Sequence, residues 1–304
     1  MTEFPALAAI SDPRLRRAAE AVATRLAKDP SVLALGVFGS AVEERAWDRS
    51  DVDLWLILDE DQPRHEAAGI LEQGTEVSFQ MASRESLPRL VERSRGSPMA
   101  RALATSRWLW CRDPQVESLL EQVRSFPEPW RHLRTLQALD QLKTRSYEAE
   151  KLLYLGEPLG AVAKLAEALV QLARIRLIRR GVYPGRDPIG EVLSTEPQLI
   201  QHYRDLTEGG MPLVDRIEQA VEYLDEVTQP LAAGALGQLQ DVLRTGSASA
   251  GELEDHPAFE RLNLDWVSLL GWLVSLGLLQ RGTRARPKGL PLAGMAEVVF
   301  RLPS

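Results

Sequence analysis

Val37-Phe38-Gly39-Ser40, a ten-residue spacer, and then Ser50-Asp51-Val52-Asp53-Leu54-Trp55-Leu56-Ile57-Leu58 decide how this chain is read. The second segment is an apolar strand that opens with two carboxylates. Residues i and i+2 of a strand share a face, so Asp51 and Asp53 project together. Adjacent carboxylates repel each other and call for a neutralising cation or proton. An oxygen-only donor set of this kind suits Mg²⁺, which takes one or two carboxylates and completes its shell with water and phosphate oxygens. The first segment supplies the complement. A glycine where a strand ends lets backbone approach an anion closely, and the amides of the following turn can cradle it.

A third carboxylate lies further on, in Thr75-Glu76-Val77-Ser78-Phe79-Gln80-Met81. Val77, Phe79 and Met81 alternate with Glu76, Ser78 and Gln80, the pattern of a half-buried strand. Its polar face carries Glu76 toward Asp51 and Asp53.

Gly39-Ser40, the spacer and Asp51-x-Asp53 on a strand resemble the signature of the polymerase-β-type nucleotidyltransferases, and the likeness covers the N-terminal third of the chain. The resemblance implies transfer of a nucleoside monophosphate from a nucleoside triphosphate to an acceptor. It implies two Mg²⁺ ions held by Asp51 and Asp53, with Gly39 and Ser40 on the β- and γ-phosphates. Glu76 would complete the metal shell or take the proton from the acceptor hydroxyl, and both roles are open to it. A cation is also expected on the triphosphate: Lys164, from the helices that follow, and Arg49 or Arg45, in the spacer.

The same resemblance extends to the aminoglycoside and lincosamide nucleotidyltransferases, in which a helical bundle follows the sheet domain. That implies ATP as donor and a hydroxyl of a small, antibiotic-like molecule as acceptor. Two alternatives come with the signature. One is a protein AMP-transferase of toxin–antitoxin type. The other is a transcriptional regulator in which the first domain senses a nucleotide.

The 304 residues, 44% hydrophobic and 26% charged, are ordinary for a globular protein and long enough for two or three domains. No stretch has the apolar length of a membrane span. Met1-Thr2-Glu3-Phe4-Pro5 lacks the basic-then-apolar pattern of a secretory signal. The one cysteine, Cys111, excludes an intrachain disulfide and fits a reducing cytoplasm, the expected location. Four scattered histidines give no zinc site. A formal net charge of −7 argues against nucleic-acid binding by bulk electrostatics.

The expected fold class is α+β. Residues 1–115 read as a mixed-sheet nucleotidyltransferase domain. Its elements are a helix over 13–28, strands over 31–38, 51–58, 75–81 and 107–111, a short helix over 41–47, a crossover helix over 64–73 and a helix over 87–92. Residues 125–230 read as a helical bundle on the acceptor side, with helices over 130–154, 160–180 and 213–228. Glycine- and proline-bearing breaks separate them. Residues 235–304 read as a winged-helix-like domain. Its presumed recognition helix, Asp265-Trp266-Val267-Ser268-Leu269-Leu270-Gly271-Trp272-Leu273, offers no Arg, Lys, Asn or Gln to base edges. A protein partner is therefore expected there, beside a basic loop with Arg281, Arg284, Arg286 and Lys288.

Overall fold

A computed structural model of the chain describes residues 4–43, 46–60, 65–94, 97–260, 262–285 and 296–303. Contacts divide the chain into two compact units, Met1–Pro127 and Glu128–Ser304.

The first unit runs α1 (Pro13–Leu26), β1 (Val32–Phe38), β2 (Val52–Leu58), β3 (His65–Glu72), β4 (Thr75–Ser83), α2 (Leu87–Ser94), α3 (Pro98–Thr105), β5 (Arg107–Cys111) and α4 (Pro114–Arg124). The strands form one mixed sheet in the order β3-β4-β2-β1-β5. β2 is antiparallel to β1 and parallel to β4. Asp12 starts α1 by accepting hydrogen bonds from the amides of Arg14 and Leu15, which satisfies two of the donors a helix start leaves free. Leu15, Ala18 and Val22 of α1 then pack on Val52, Leu54, Val77 and Phe79. Each large apolar side chain so buried contributes roughly 1.5–3 kcal/mol.

The segment read as a crossover helix over 64–73 is strand β3. Arg64 lies outside the described residues, and His65–Glu72 pairs antiparallel with β4 along its whole length. The parallel pairing of β2 with β4 does need a crossover. Here an edge strand supplies it in place of a helix. The physical reason is the turn: Gln73 and Gly74 both have positive φ, 50° and 77°, the backbone of a two-residue hairpin turn that matches strand twist. Such a turn holds His65–Glu72 extended against β4. At 41–47, a single 3₁₀ turn over Gly39–Ala41 replaces the short helix, with Glu44 and Arg45 outside the described residues. α4 follows β5 within the first unit, so this unit extends past the boundary read at residue 115.

The second unit opens with α5 (Glu128–Tyr154) and α6 (Pro158–Arg179), followed by α7 (Pro188–Glu191), α8 (Pro197–Glu208) and α9 (Leu213–Ala235). Gly156 and Gly181, at φ 77° and 75°, end α5 and α6. At the second of these the amides of Gly181 and Val182 return to the carbonyls of Ile178 and Leu177, the usual glycine-terminated helix end. α9 continues through Pro230, past the helix end read at 228. Proline inside a helix costs about 3 kcal/mol, offset here by burial of Leu231, Ala232 and Ala235 beyond it.

The chain then continues through α10 (Gly237–Leu243), α11 (Ala250–Glu254), α12 (Trp266–Ser275), β6 (Gln280–Ala285) and β7 (Ala296–Arg301). β6 and β7 form an antiparallel hairpin, and Ala248 adds a bridge to Phe300. One continuous apolar cluster spans Leu133 of α5, Leu172 of α6, Leu269 of α12 and Phe300 of β7. Residues 235–304 thus share the core of the helices before them. Buried Asp140 of α5 accepts a hydrogen bond from the Asp265 amide at the start of α12, and desolvation pushes its carboxyl above the usual carboxylate range. Among the described residues no helix is long and apolar enough to cross a membrane.

Candidate active site

β2 sorts its side chains by parity. Val52 and Leu54 are fully buried in the α1 layer, whereas Asp51 and Asp53 on the opposite face are partly exposed. Further along that second face Trp55 and Ile57 are completely buried. Only its first positions therefore remain open to a ligand, and those positions are the carboxylates.

The flanking strands complete the constellation. Asp53 is registered with Phe38 on β1 and with Ser78 on β4. The Ser78 hydroxyl donates to Oδ2 of Asp51 at 3.2 Å. Glu76 sits two residues before Ser78, hence on the same face, with an exposed side chain. Gly39 follows Phe38 directly, with φ 77°, a conformation open to glycine at little cost. A Cβ built on Gly39 would lie 2.5 Å from Oδ2 of Asp53. The glycine–serine turn and the aspartate strand are therefore in van der Waals contact, and the glycine makes that approach possible.

Ser50 ties the two together. Its Oγ accepts from the Ser40 hydroxyl at 3.2 Å and from the Trp47 amide at 3.0 Å. Its carbonyl accepts from the Arg14 guanidinium at 3.1 Å. Behind the turn, the Glu43 carboxylate meets Arg101 of α3 at 3.2 Å. Ser50, Ser78 and Arg14 were not picked out from the sequence. The signal for Ser78 was available in its place on the Glu76 face, and that for Ser50 in its position directly before Asp51. Nothing local marks Arg14.

Arg49 is exposed, with its guanidinium carbon 5.8 Å from the centre of the Trp47 ring. Arg45 lies outside the described residues. Lys164 belongs to α6 of the second unit, where its ammonium lies 3.2 Å from Glu148 and 3.6 Å from Glu167. Cys111 is half-buried, and desolvation raises its thiol pKa, as suits an unreactive thiol.

Among the described residues no three His, Cys, Asp or Glu side chains gather closely enough to enclose a metal ion. The donor set is nevertheless compatible with a hard cation. Two carboxylates and a hydroxyl share one face beside a glycine whose missing Cβ leaves room, and Mg²⁺ in such sites draws its remaining ligands from water and substrate phosphates.

Residues 20–115, which include Gly39, Ser40, Ser50, Asp51, Asp53, Glu76 and Ser78, match the family described as Polymerase beta, Nucleotidyltransferase. The N-terminal unit is similar to a polymerase-β-type nucleotidyltransferase domain over these residues. The chain is similar in fold to the nucleotidyltransferase-like protein from Exiguobacterium sibiricum 255-15, with a TM-score of 0.70 and 20% sequence identity over 94% of this chain and 98% of that one. It is also 26% identical over 178 residues, 58% of its length, to the uncharacterized protein YgxA of Bacillus subtilis (strain 168), and the match spans 60% of that protein. The nucleotidyltransferase match ends at residue 115.

Proposed function

We propose that this chain transfers AMP from ATP to a hydroxyl group of a small, antibiotic-like molecule in the cytoplasm. The observation that carries the reading is the contact between Gly39 and Asp53: a phosphate-compatible turn lies against a strand that presents two carboxylates on an open face.

Asp51 and Asp53 would hold two Mg²⁺ ions, with Glu76 as a further ligand or as the base. When bound, such ions neutralise charge on the attacking and leaving oxygens. The chain's own residues do the rest. The Gly39 amide and the Ser40 hydroxyl position the β- and γ-phosphates, so that the α-phosphorus faces the acceptor in line. Ser78 orients the Asp51 carboxylate through its hydrogen bond. Glu76, exposed beside the pair, takes the acceptor proton if it acts as base. Arg49 would have to leave Trp47 to contact phosphate, and Lys164 would have to exchange its two glutamate partners to do so.

Residues 235–304 read best as a winged-helix-like element that serves protein contacts. Its order of α10, the Ala248 bridge, α11, α12 and the β6–β7 hairpin supports that reading. The exposed positions of α12 are Val267, Ser268, Gly271 and Ser275, none able to read base edges as Arg, Asn or Gln do. Arg284 is already paired with Glu252 and Glu297, and Arg286 and Lys288 lie outside the described residues.

Labelled ATP with Mg²⁺ and a panel of aminoglycosides and lincosamides tests the proposal. A labelled small product is expected. Label recovered on a protein instead would redirect the reading to protein AMP-transfer, and no labelled product of either kind would overturn it.

A further inference from the structure

Ser50 is the residue on which the turn, the spacer and the aspartate strand converge, and the proposed chemistry assigns it no role. It is 7% exposed. A hydroxyl oxygen has two acceptor sites and one proton to give. In Ser50 the acceptor sites are filled by the Ser40 hydroxyl, from the phosphate turn, and by the Trp47 amide, from the spacer. The backbone carbonyl of the same residue is held by Arg14 from the start of α1. The next residue is Asp51.

The arrangement also commits Ser40. The two hydroxyls lie 3.2 Å apart, and either can donate to the other, so Ser40 can give its proton to a phosphate while its oxygen accepts from Ser50. The Trp47 and Arg14 bonds do not involve Ser40. Ser50 is thus anchored independently of Ser40.

We propose that Ser50 is a positioning residue: a latch that holds the Ser40 hydroxyl against the aspartate strand while an anion binds it, so that phosphate and carboxylate sites are presented at fixed separation. This rests on the nucleotidyltransferase reading above. It adds a residue that touches neither nucleotide nor cation.

The test is ATP binding in the presence of Mg²⁺, measured by calorimetry on the full chain, for Ser50→Ala, Ser40→Ala and the double variant. Ser50→Ala is expected to weaken ATP binding roughly five- to tenfold, the worth of one ordinary hydrogen bond. In the Ser40→Ala background the same change is expected to cost less than about twofold, because contacting residues that act together are not additive. Ser50→Cys, nearly the same size but a weak hydrogen-bond partner, is expected to follow Ser50→Ala and carries the test if that variant does not fold. Tight binding that Ser50→Ala and Ser50→Cys leave unchanged overturns the latch. So does an equal loss with and without Ser40, which would mark Ser50 as structural only. No ATP binding by the intact protein refutes the nucleotidyltransferase reading, and the latch with it.

Discussion

Gly39→Ala separates two costs that fall on one residue. At φ 77° any L side chain loses roughly 1–2 kcal/mol, because its Cβ crowds the following carbonyl. At Gly39 that Cβ would also sit 2.5 Å from Oδ2 of Asp53, about an ångström inside ordinary van der Waals separation. The carboxylate has to swing aside, at about 0.5–1.5 kcal/mol for an off-rotamer side chain, and a cation ligand moves with it. Gly74 supplies the reference. Its φ is also 77°, and nothing lies within 4 Å of an added Cβ. Gly74→Ala should therefore lower the melting temperature by about 2–8 °C and leave Mn²⁺ binding alone. Gly39→Ala should melt lower still and lose roughly tenfold or more in Mn²⁺ affinity, the scale of a disturbed ligand environment. Thermal melts followed by circular dichroism, with Mn²⁺ titrations by water proton relaxation, make the comparison. In an Asp53→Ala background the excess cost of Gly39→Ala should vanish. Equal behaviour of the two glycine variants, or an excess that survives loss of Asp53, would refute the argument.

Three further outcomes follow from the same geometry. Asp53→Asn should leave stability within about 0.5 kcal/mol but cost at least about a hundredfold in divalent-ion affinity, since it removes a direct ligand rather than an outer-shell partner; turnover retained in that variant would sink the metal assignment. Asp140→Asn should raise stability at neutral pH. Burial raises the Asp140 carboxyl, so its favourable contribution is complete below the ordinary aspartate pKa and is lost as pH rises through the raised folded value. Melts from pH 4 to pH 8 should show the variant's advantage growing with pH, and a flat difference would contradict the desolvation account. Leu172→Ala, at a fully buried position of α6, should cost about 2–5 kcal/mol, seen as a lower urea midpoint; a loss under 1 kcal/mol would mean that the core is not packed as described.

Much of the N-terminal unit could be read from residue order. The strand at Asp51–Leu58 and the half-buried strand at Thr75 carried their faces in their alternation, and both hold in the structure. The side of the sheet that carries the acidic residues followed from that alternation alone. What escaped was non-local. His65–Glu72 has Ala67, Ala68 and Leu71, good helix formers, so propensity favoured a helix; pairing with β4 decided otherwise. α3, α4 and α8 are short, and they were passed over between stronger signals. Pro230 looked like a boundary because local rules stop a helix there, whereas burial of the residues after it carries α9 onward. The role of Ser50 depends on partners 3, 10 and 36 positions away, a convergence that no periodicity announces.

The parallel ladder between β2 and β4 has an evolutionary consequence. The two strands match residue for residue, from Val52 with Val77 to Leu58 with Ser83, and alternate residues face opposite ways. A codon gained or lost at the start of β4, ahead of Glu76, that slipped the strand by one position along β2 would turn Ser78 and Glu76 inward and Val77 outward. Substitutions along these strands can accumulate gradually, but length changes cannot. Lineages descended from this chain should therefore vary in spelling along β2 and β4, outside Asp53, Glu76 and Ser78, and hardly at all in spacing.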